Sequence, residues 1–466
     1  MSITGSRWRR TRACQAALVG LTLAALAACG SGSGTSNTSS SDALAVPQPG
    51  SAEAKTVKGT VNWWGWSPGV SVAPLYVKAF NEAYPNIKVN FKFYDYNQYS
   101  PALRTGVGSP SGPDVFDLEP GGIARQYGRF GTDLTPLPQK VLGSDWKDKL
   151  SPLGADAFTQ DGKLKALSVG SGGAGTLVIN KTLFDRWGLK PPTTLDEWVS
   201  TCKAIKAKGK TCFVHGAKDA WVNRDLIQAI SNSIAPGKFT KAVQGQAKWT
   251  DPDLVQALSV YRSLFSNGIM QPGAAGITQY NDAQNKFMAQ DAVMIMQGTW
   301  ELGNYKAQAQ TAGIKSAGVS SPKPFVEQLV PFPDVAGKGN KPYLFGDPDF
   351  GFTVNVRSKN QRAANIFVAW YTLTKQGQQM VADQYTQVPS LKGIAPATQG
   401  LVDPSVQVAS LRNLGTQVQN ATEHRQVAYP DLMTAIGDAA SALASGSKTP
   451  QAAAQDLQTA SDGVSR

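Results

Sequence analysis

Between residues 60 and 93, the spacing of hydrophobic positions changes twice. Residues 60–66 contain three tryptophans and a valine and stop at a Ser-Pro-Gly turn, which predicts a strand. Residues 72–84 carry apolar side chains at helical spacing and stop at Pro85, which predicts a helix. Residues 87–93 alternate between apolar and polar side chains, as half-buried strands do. A strand, a helix and a strand in this order predict a parallel crossover, the basic unit of an α/β fold.

A turn, a strand, a glycine-rich loop, a second strand and a helix follow one another in the middle of the chain. Asp161-Gly162 is a turn dipeptide, residues 164–169 are a short and partly apolar run, and residues 176–179 are rich in β-formers. Four glycines lie from residue 170 to residue 175, where the missing side chains let the backbone bend or approach another group closely. Residues 181–187 then have the pattern of a short helix.

The later part of the chain is mostly helical in pattern. Thr194 followed by Glu197 fits a capping box at the start of a helix, and residues 253–267 are amphipathic. Residues 352–356 have the pattern of a strand, and residues 393–466 are rich in alanine and mostly helical. Strands and helices therefore recur along the chain, which favours an α/β fold.

The length of 466 residues predicts two domains, because single hydrophobic cores stop growing at about 250–300 residues. A content of 41% hydrophobic and 17% charged residues is ordinary for a soluble globular protein. The formal charge is +12, but four arginines lie within a predicted leader. The other basic residues are dispersed, except for a cluster at residues 203–210 that we interpret as the solvated face of a helix. We therefore expect no nucleic-acid binding.

The amino terminus has the pattern of a bacterial lipoprotein signal. Arginines cluster at residues 7–12, residues 16–28 are apolar but too few to span a membrane, and Leu-Ala-Ala-Cys29 resembles a lipobox. We predict a signal peptide over residues 1–28, lipidation of Cys29 and a flexible tether over residues 29–55. The protein would then be exported and held on the outer face of the cytoplasmic membrane by lipid alone. Plain signal cleavage with an incidental Cys29 is the alternative, and the Sec and twin-arginine export routes both stay open.

Apart from Cys14 in the leader and Cys29 at the lipidation site, the cysteines are Cys202 and Cys212, and an oxidising compartment favours a disulfide between them over two buried thiols. The two histidines, His215 and His424, lie in no metal-binding or catalytic motif, so we expect no metal and no cofactor. A secreted glycosidase would need two carboxylates beside a cleft, and any globular protein offers such pairs by chance. We expect no catalytic residue.

Several stretches of the chain share the motifs of one known family. They are Asp161-Gly162-Lys163, Asn180-Lys181, Leu183-Phe184, the SPSGPDVFDL segment at residues 109–118 and the Gly-Thr-Trp sequence that ends at Trp300. Together they resemble the extracellular solute-binding proteins of ABC importers, the family that includes maltose-binding protein. The resemblance covers the chain from about residue 57 onward. Two positions depart from the pattern, because Ser168 or Val169 replaces a family proline and Ile179 replaces a family tyrosine.

The resemblance implies an α/β, two-lobed fold of the periplasmic-binding-protein type II. Each lobe would be a mixed sheet flanked by helices, and hinge crossovers would join the lobes. The first lobe would comprise residues 56–167 plus 319–370, and the second lobe residues 168–318 plus 371–466. The chain would therefore cross between the lobes three times.

The resemblance also implies a ligand site between the lobes, where loops follow the carboxyl ends of strands and close about a hinge. Sugars need aromatic rings for their C–H faces and polar groups for their hydroxyls, and the residues at the family's positions suit both needs. The predicted ligand-binding residues are Trp64, Trp66, Ser67, Asp117, Glu119, Gly172, Gly173, Asp219, Trp221, Trp300, Gly346, Asp347, Phe350 and Tyr429.

Each assignment has a simpler alternative. A carboxylate in a solvated loop would look the same in sequence as Glu119, Asp219 or Asp347 in a site. Trp66 and Trp300 could also belong to a core. Four other tryptophans are assigned to packing because of their strand or helix faces: Trp63, Trp187, Trp198 and Trp370.

These patterns predict a lipid-anchored substrate-binding protein of an ABC importer, a monomer that performs no chemistry. It would bind a sugar or an oligosaccharide and deliver it to the permease. The aromatic residues favour carbohydrate, and the absence of a recognisable arginine clamp disfavours an acidic ligand. Three alternatives remain: a non-sugar solute, a ligand-presenting sensor with the same fold, and a secreted glycosidase.

Overall fold

Two mixed β-sheets, each flanked by helices, form two lobes. The computed structural model describes residues 46–466, apart from the side chains of residues 152 and 153. The predicted signal peptide, Cys29 and the first part of the predicted tether lie outside the described residues. The two mixed sheets with their helices confirm the predicted α/β fold class.

Strands occur along most of the described chain. Residues 46–466 contain twelve: β1 (Gly59–Gly65), β2 (Ile87–Phe93), β3 (Val115–Leu118), β4 (Thr159–Gln160), β5 (Lys163–Leu164), β6 (Leu167–Ala174), β7 (Thr176–Asn180), β8 (Thr211–Val214), β9 (Ala292–Gln297), β10 (Glu327–Pro331), β11 (Phe345–Val354) and β12 (Val388–Pro389). β4 and β5 form a small hairpin of their own.

Helices fill the connections between strands and the whole carboxyl-terminal part. The described residues contain nineteen α-helices: α1 (Ala52–Thr56), α2 (Ala73–Ala83), α3 (Tyr96–Gly106), α4 (Gly122–Tyr127), α5 (Pro136–Leu142), α6 (Trp146–Lys149), α7 (Pro152–Ala157), α8 (Lys181–Arg186), α9 (Leu195–Lys206), α10 (Ala220–Ile234), α11 (Lys238–Val243), α12 (Pro252–Ser266), α13 (Asn285–Met288), α14 (Ala307–Ser316), α15 (Gln361–Leu373), α16 (Lys375–Gln384), α17 (Pro404–Gln419), α18 (Pro430–Ala444) and α19 (Pro450–Asp462). Shorter helical turns lie at Gly128–Phe130, Ala274–Gly276, Gln279–Gln284 and Thr299–Tyr305. No helix in the part of the chain that the structure describes has both the length and the hydropathy to cross a bilayer.

The first lobe is built on a six-stranded sheet with the order β12-β6-β11-β3-β1-β2. β1 pairs in parallel with β2 and with β3, and Val61 lies opposite Val89. β11 runs antiparallel to β3 and to β6. Helix α2 buries Ala73, Tyr76 and Phe80, whose spacing places them on one helical face. β1, α2 and β2 thus form the parallel crossover that the sequence predicts.

The second lobe is built on a four-stranded sheet with the order β10-β7-β9-β8. β8 and β9 are parallel, whereas β7 runs antiparallel to β9 and to β10. Every residue of β7 and β9 is buried, which is the pattern of strands covered on both faces. A disulfide joins Cys202 of α9 to Cys212 of β8, ten positions apart in the sequence, and so links a helix to a strand within this lobe.

The described chain passes between the two sheets at three places. Gly175 alone separates β6, in the first sheet, from β7, in the second. Its φ is +100°, and a Cβ there would lie 2.9 Å from the carbonyl oxygen of Tyr343. Both features favour glycine at this hinge position. The second passage connects β10 to β11, and the third follows β12.

Two segments lie in a different lobe from the one that the resemblance implies. Residues 319–344 pack with the second lobe, because β10 pairs with β7 and because Phe325 is buried among second-lobe residues. Residues 371–391 pack with the first lobe, where Val381 joins the core and β12 pairs with β6. Helix α16 therefore belongs to the first lobe, together with α15.

The last part of the predicted tether is folded onto the first lobe. Val46 and Ala54 are only 1% and 0% exposed, and the backbone N–H of Gly50 donates to the Tyr84 hydroxyl at 2.8 Å. Two small buried residues are too few to produce a hydrophobic periodicity in the sequence. The segment was therefore predicted to be part of the tether from its composition alone.

Glu327 on β10 is a buried carboxyl group with incomplete hydrogen bonding. It is 1% exposed, and Nε2 of Gln310 donates to its Oε1 at 2.9 Å, while its Oε2 has no partner among the described residues. Burial raises the pKa of Glu327 from 4.5 to about 8. The folded protein therefore retains a proton here at pH values where the unfolded chain has lost it.

The variant Glu327→Gln is expected to flatten the dependence of the unfolding free energy on pH between about pH 5 and 8. In the parent protein, the proton that the folded state holds on Glu327 contributes to the free energy of unfolding. This contribution is complete below pH 4.5 and is lost as the pH rises through about 8. Glutamine has a similar shape and binds no proton, so the slope should fall by up to about 1 kcal/mol per pH unit. Urea unfolding across this pH range measures it, with the exposed Asp185→Asn as control. An unchanged slope would contradict the raised pKa.

Candidate functional site

The residues that follow the parallel strands meet between the two lobes. Trp66 and Glu119 follow β1 and β3 of the first sheet, and Trp300 follows β9 of the second. Tyr96, which follows β2, has its ring 6.1 Å from the ring of Trp221, which follows β8 in the other lobe. Open α/β sheets bind their ligands at such strand ends, and we call this space the cleft.

Three aromatic rings of the second lobe form one wall of the cleft. Trp221 lies in the first turn of α10, is 5% exposed, and stacks on Tyr280 with ring centroids 5.3 Å apart and planes inclined by 27°. Trp300 meets Trp221 edge to face at 6.1 Å. Tyr280 is 37% exposed, so that its ring is the open surface of this wall. Nε1 of Trp221 is buried and has no hydrogen-bond partner among the described residues.

The first lobe contributes a second aromatic group. Trp66 is half-buried and meets Tyr99 at 4.8 Å, Phe350 at 5.5 Å and Tyr96 at 5.7 Å, each edge to face. Phe350 is 1% exposed and therefore supports Trp66 from the core. Edge-to-face packing on three sides fixes the orientation of the Trp66 ring.

Arg425 lies against the aromatic wall of the second lobe. Its Cζ is 4.2 Å from the ring centroid of Trp300 and 5.7 Å from that of Trp221. Its Nε donates to Asp225 of α10 at 3.1 and 3.2 Å, and its Nη2 lies 3.0 Å from the same carboxylate. Asp225 also accepts from Nε and Nη2 of Arg224, at 3.1 and 2.8 Å. One buried carboxylate thus holds two buried guanidinium groups.

Glu119 is a buried carboxyl group of the first lobe that lies at the cleft. It is 7% exposed, accepts from the Tyr96 hydroxyl at 2.8 Å, and accepts from Nε2 of Gln426 at 2.7 Å. Burial raises the pKa of Glu119 to about 7, although the positive charge of Arg425 opposes the shift. Near neutral pH this carboxyl group can therefore accept or donate a hydrogen bond.

The charge of Arg425 also acts on a second carboxyl group, that of Asp349 in β11. Its Oδ2 accepts from Nε2 of Gln387 at 2.7 Å. Burial raises its pKa, and Arg425 lowers it. A Cβ on Gly172 would lie 3.8 Å from Asp349, so this glycine of β6 lies directly beside the carboxylate.

A chain of side-chain hydrogen bonds runs from Trp300 to a third carboxyl group. Nε1 of Trp300 donates to Gln297 at 3.1 Å, Gln297 donates to Gln284 at 2.7 Å, and Gln284 donates to Glu301 at 2.6 Å. Asn304 also donates to Glu301, at 2.8 Å. Burial raises the pKa of Glu301 to about 7. The network fixes the edge of Trp300 and leaves Oε1 of Glu301 for another donor.

Hydrogen bonds between side chains connect the two lobes across the cleft. Nδ2 of Asn97 donates to Asp219 at 2.9 Å, and Gln426 donates to Glu119 as described above. Asp219 also accepts from the backbone N–H of Gln279 at 2.8 Å, and burial raises its pKa. The lobes therefore touch through polar side chains at both sides of the aromatic group.

Asp117 supports the loop that carries Trp66. It is fully buried and accepts hydrogen bonds from Nε1 of Trp63 at 2.9 Å and from the backbone N–H groups of Trp66 and Ser67 at 3.2 and 3.3 Å. A Cβ on Gly65 would lie 2.3 Å from Oδ2 of Asp117, so only glycine leaves room for the carboxylate. Asp117 thus positions Trp66 from behind.

Asp347 and Glu423 anchor the segment that carries Arg425. Oδ2 of Asp347 accepts from the backbone N–H groups of Arg425 and Gln426, both at 2.8 Å. Glu423 accepts from Asn232 at 2.6 Å and from the Tyr343 hydroxyl at 2.7 Å. The segment 423–427 has no regular secondary structure, and these side chains supply the hydrogen bonds that a strand or a helix would otherwise make.

Within residues 46–466, no group of three or more histidine, cysteine or acidic side chains is arranged to hold a metal ion. The cleft instead combines aromatic rings with charged and amide side chains. It can therefore bind a solute that has both apolar faces and many hydrogen-bonding groups.

A sequence model of the family described as bacterial extracellular solute-binding proteins matches residues 66–378 of the chain. The chain belongs to this family. The match runs from Trp66 at the end of β1 into helix α16 and so includes parts of both lobes. It confirms the resemblance that the sequence motifs indicate.

This solute-binding protein is also similar to individual relatives and to solved structures. It is 23% identical over 400 residues to the multiple sugar-binding protein of Streptococcus mutans, an alignment that covers 84% of this chain and 85% of the relative. It is 28% identical over 170 residues to the diacetylchitobiose-binding protein of Streptomyces coelicolor, or 35% of each chain. The acarbose-binding GacH receptor of Streptomyces glaucescens superposes with a TM-score of 0.68 at 18% identity, over 87% of this chain and 97% of that one. This last similarity shows a shared fold.

The structure sorts the predicted ligand-binding residues into three sets. Those whose side chains lie at the cleft are Trp66, Glu119, Asp219, Trp221 and Trp300, with Gly172 beside Asp349. Those that support the cleft from behind are Ser67, Asp117, Gly346, Asp347 and Phe350. Those that contact other groups are Trp64, Gly173 and Tyr429.

The third set differs from the expectation for physical reasons. Trp64 packs against Tyr94 at 5.3 Å, because it still lies within β1, where it pairs with Lys92 of β2 and Phe116 of β3. A Cβ on Gly173 would face Val418 and Leu344. The ring of Tyr429 lies between the guanidinium groups of Arg125 at 5.1 Å and Arg466 at 5.5 Å.

Sequence reasoning missed residues that the solute-binding protein brings to the cleft from irregular segments. They are Tyr96, Asn97, Tyr280, Glu301, Asp349, Arg425 and Gln426. Tyr96 carried a usable signal, because it begins the helix after a predicted strand. Arg425 carried none, and it brings a guanidinium group to the cleft although the sequence showed no recognisable arginine clamp.

Proposed function

We propose that this protein binds a sugar or an oligosaccharide between its two lobes by hinge closure and delivers it to the permease of an ABC importer. The observation that carries the proposal is the exposed Tyr280 ring on the Trp221 and Trp300 wall, with Arg425 and Glu119 beside it. The protein performs no chemistry on its ligand in this proposal, and it works as a monomer without a cofactor.

The physical argument rests on the two-sided nature of sugars. A pyranose ring has C–H groups that pack on an aromatic face and hydroxyl groups that both donate and accept hydrogen bonds. Tyr280 offers such a face, because the residue is 37% exposed. Glu119 and Glu301, whose pKa values are raised to about 7 by burial, offer acceptors, and Arg425 offers donors.

The relatives support the same class of ligand. One is named as a multiple sugar-binding protein and one as a diacetylchitobiose-binding protein, and the GacH receptor is described in complex with acarbose. All three names refer to carbohydrates or to carbohydrate analogues. We extend this class, and not any one of these ligands, to the present chain.

The glycine hinge supports the closing movement. Gly175 separates the two sheets by a single residue, and the polar contacts across the cleft can break and form without disturbing either core. A ligand that contacts Trp66 in one lobe and Tyr280 in the other would favour the closed arrangement, because it binds that arrangement better.

The ligand class is tested by following the melting temperature and tryptophan fluorescence of the purified protein with mono- and oligosaccharides. We expect one sugar class to give a saturable shift, with a stabilisation of about 2.7 kcal/mol at a concentration 100 times the dissociation constant. Chromatography of the same mixtures should show the sugar unchanged. Shifts with peptides or polyamines but with no sugar would overturn the ligand class, and a shortened sugar would indicate a glycosidase.

We also propose that Cys29 is lipidated and that it anchors the protein on the outer face of the cytoplasmic membrane. The lipobox-like Leu-Ala-Ala-Cys29 sequence and the Gly- and Ser-rich stretch that follows support this proposal. The mass of the amino-terminal peptide from membrane-bound protein tests it, because an unmodified Cys29 peptide would exclude the anchor.

A further inference from the structure

We propose that a cavity beside the cleft binds an apolar aglycone, so that the protein prefers glycosides whose sugar carries an aromatic or branched hydrocarbon group. We call this space the side cavity, and it lies between helix α17 and residues 385–398. The inference rests on the proposed function and goes further, because it names the class of sugar derivative that the site takes.

The side cavity lies where the two lobes meet and has a volume of about 280 Å³. One wall is the segment 385–398, which contains β12 of the first sheet and whose Ile394 packs on the core of the first lobe. The other wall is α17, whose Leu414 and Val418 share a core with residues of β7, β9 and β10 in the second lobe. An engineered protein cavity of about 150 Å³ binds benzene, so the side cavity has room for a phenyl group.

The side cavity adjoins the cleft at Gly172. A Cβ on Gly172 would lie 3.7 Å from Oγ1 of Thr299 and 3.8 Å from Cβ of Asp349. Thr299 directly precedes Trp300 of the aromatic wall and also lines the side cavity. Gln387 lines the side cavity as well, and its Nε2 donates to Asp349 at 2.7 Å. Thr299 and Gln387 therefore border both spaces, so that a ligand on the aromatic wall can extend into the side cavity.

The walls of the side cavity are mostly aliphatic. Val388 and Ile394 on one wall and Val408 and Leu411 on the other are half-buried, so each keeps apolar surface that a ligand can cover. Among the described residues that line this cavity, none is acidic, and Tyr385 is the only one with an aromatic ring. A sugar ring needs an aromatic face and several polar partners, whereas a hydrocarbon group needs only apolar contacts. The lining therefore suits an aglycone better than a further sugar ring.

Several polar residues of the lining are compatible with an apolar occupant. Thr398, Arg412, Thr416 and Gln419 are exposed, so their polar groups can keep their water when an apolar group fills the cavity. Covering the aliphatic side chains is favourable, because it removes hydrocarbon surface from water. The two walls belong to different lobes, so an aglycone that contacts both walls also favours the closed arrangement.

The experiment compares the methyl glycoside and the phenyl glycoside of the sugar that shifts the melting temperature, each as both anomers. Binding to the wild type is measured by titration calorimetry. We expect the phenyl glycoside of one anomer to bind about tenfold more tightly than the methyl glycoside, because its phenyl group leaves water and enters an apolar space. Its binding should also show the more negative change in heat capacity, which marks the burial of apolar surface.

The variant Gly415→Leu fills the side cavity. Gly415 lies on α17, and a Cβ there would lie 4.0 Å from Cγ2 of Val388 on the opposite wall, so a longer side chain projects into the cavity. Leucine also has a higher helix propensity than glycine, which favours the fold. We expect the affinity ratio of phenyl to methyl glycoside to fall to about one, while the affinity for the methyl glycoside stays the same. Asn413→Leu is the matched control, because Asn413 is exposed on the same helix and lies outside the cavity lining. It should leave the ratio unchanged.

The results distinguish this inference from the proposed function. If the wild type binds no sugar and no glycoside, the proposed function and this inference both fail. If a sugar binds but neither phenyl anomer binds more tightly than its methyl glycoside, the proposed function stands and the aglycone site is overturned. An equal loss of affinity for both glycosides in Gly415→Leu also overturns it, because the cavity would then serve lobe closure alone. Phenol is titrated by itself as well, and saturable binding of phenol that the sugar does not affect would overturn the aglycone in favour of an independent apolar ligand.

Discussion

Replacement of Asp225 by alanine is expected to lower the free energy of unfolding by about 3 to 5 kcal/mol. The side chain of Asp225 is 2% exposed and is the carboxylate partner of both Arg224 and Arg425, whose side chains are 3% and 9% exposed. Removal of the shared carboxylate leaves two buried cations without a counter-charge, and that is far more costly than loss of a surface ion pair.

Urea unfolding followed by fluorescence measures this effect. Asp251→Ala is the matched control, because Asp251 also pairs with a cation, Lys238 at 3.2 Å, but its side chain is 32% exposed. It should cost less than about 1 kcal/mol. Asp225→Asn should fall between the two, since the amide oxygen can still accept a hydrogen bond while the charge is gone. Equal losses for Asp225→Ala and Asp251→Ala would show that the buried group does not depend on its carboxylate.

Trp221→Ala is expected to remove most of the ligand affinity, by about 30-fold or more, and to cost about 3 to 5 kcal/mol of stability. Trp221 is 5% exposed and contacts Tyr280, Trp300 and Tyr96, so that its ring supports the aromatic wall from within and joins the two lobes. Without it, Tyr280 loses the ring on which it stacks.

Trp146→Ala separates stability from binding. Trp146 is 8% exposed and belongs to the core of the first lobe, outside the cleft. The same substitution there should cost a comparable free energy of unfolding but leave the dissociation constant of the sugar unchanged. Calorimetric titration of both variants with the sugar that binds the wild type makes the comparison. If both variants bind as the wild type does, the aromatic wall is not the ligand site.

The sequence predicted secondary structure most reliably where a hydrophobic periodicity ends at a turn. The alternation in β1 and β2 and the helical spacing of α2 identify the crossover, and Trp66 and Trp300 follow strands whose ends the pattern locates. Such positions are local, since a few neighbouring residues determine both the strand and its end.

Arg425 shows why the other cleft residues could not be predicted from the sequence. It lies in a segment without regular secondary structure, and it reaches the cleft through Asp225, 200 positions earlier in the chain. A spacing of that size leaves no periodic trace in one sequence. Trp64 illustrates the opposite error, because the alternation that groups it with Trp66 ends at Gly65, the last residue of β1.

The predicted lobe boundaries differ from those of the structure for a related reason. Helix α16 was assigned to the second lobe, but it lies with α15 on the first lobe, where Val381 joins the core and the two-residue strand β12 pairs with β6. A strand of two residues is too short for any alternation to reveal it. Long-range pairing, and not local preference, decided which lobe each of these segments joined.

The placement of the last helices has a consequence for the order in which the protein can fold. The core of the first lobe is complete by Leu391, whereas the core of the second lobe includes Leu432 of α18 and Leu457 of α19. As the chain emerges from its amino end, the first lobe can therefore be complete while the second still waits for its final helices. Arg425 lies in the segment that arrives between these two events. A chain that ends before α18 would therefore contain every strand of both sheets and the residues described at the cleft, but the core of its second lobe would be incomplete.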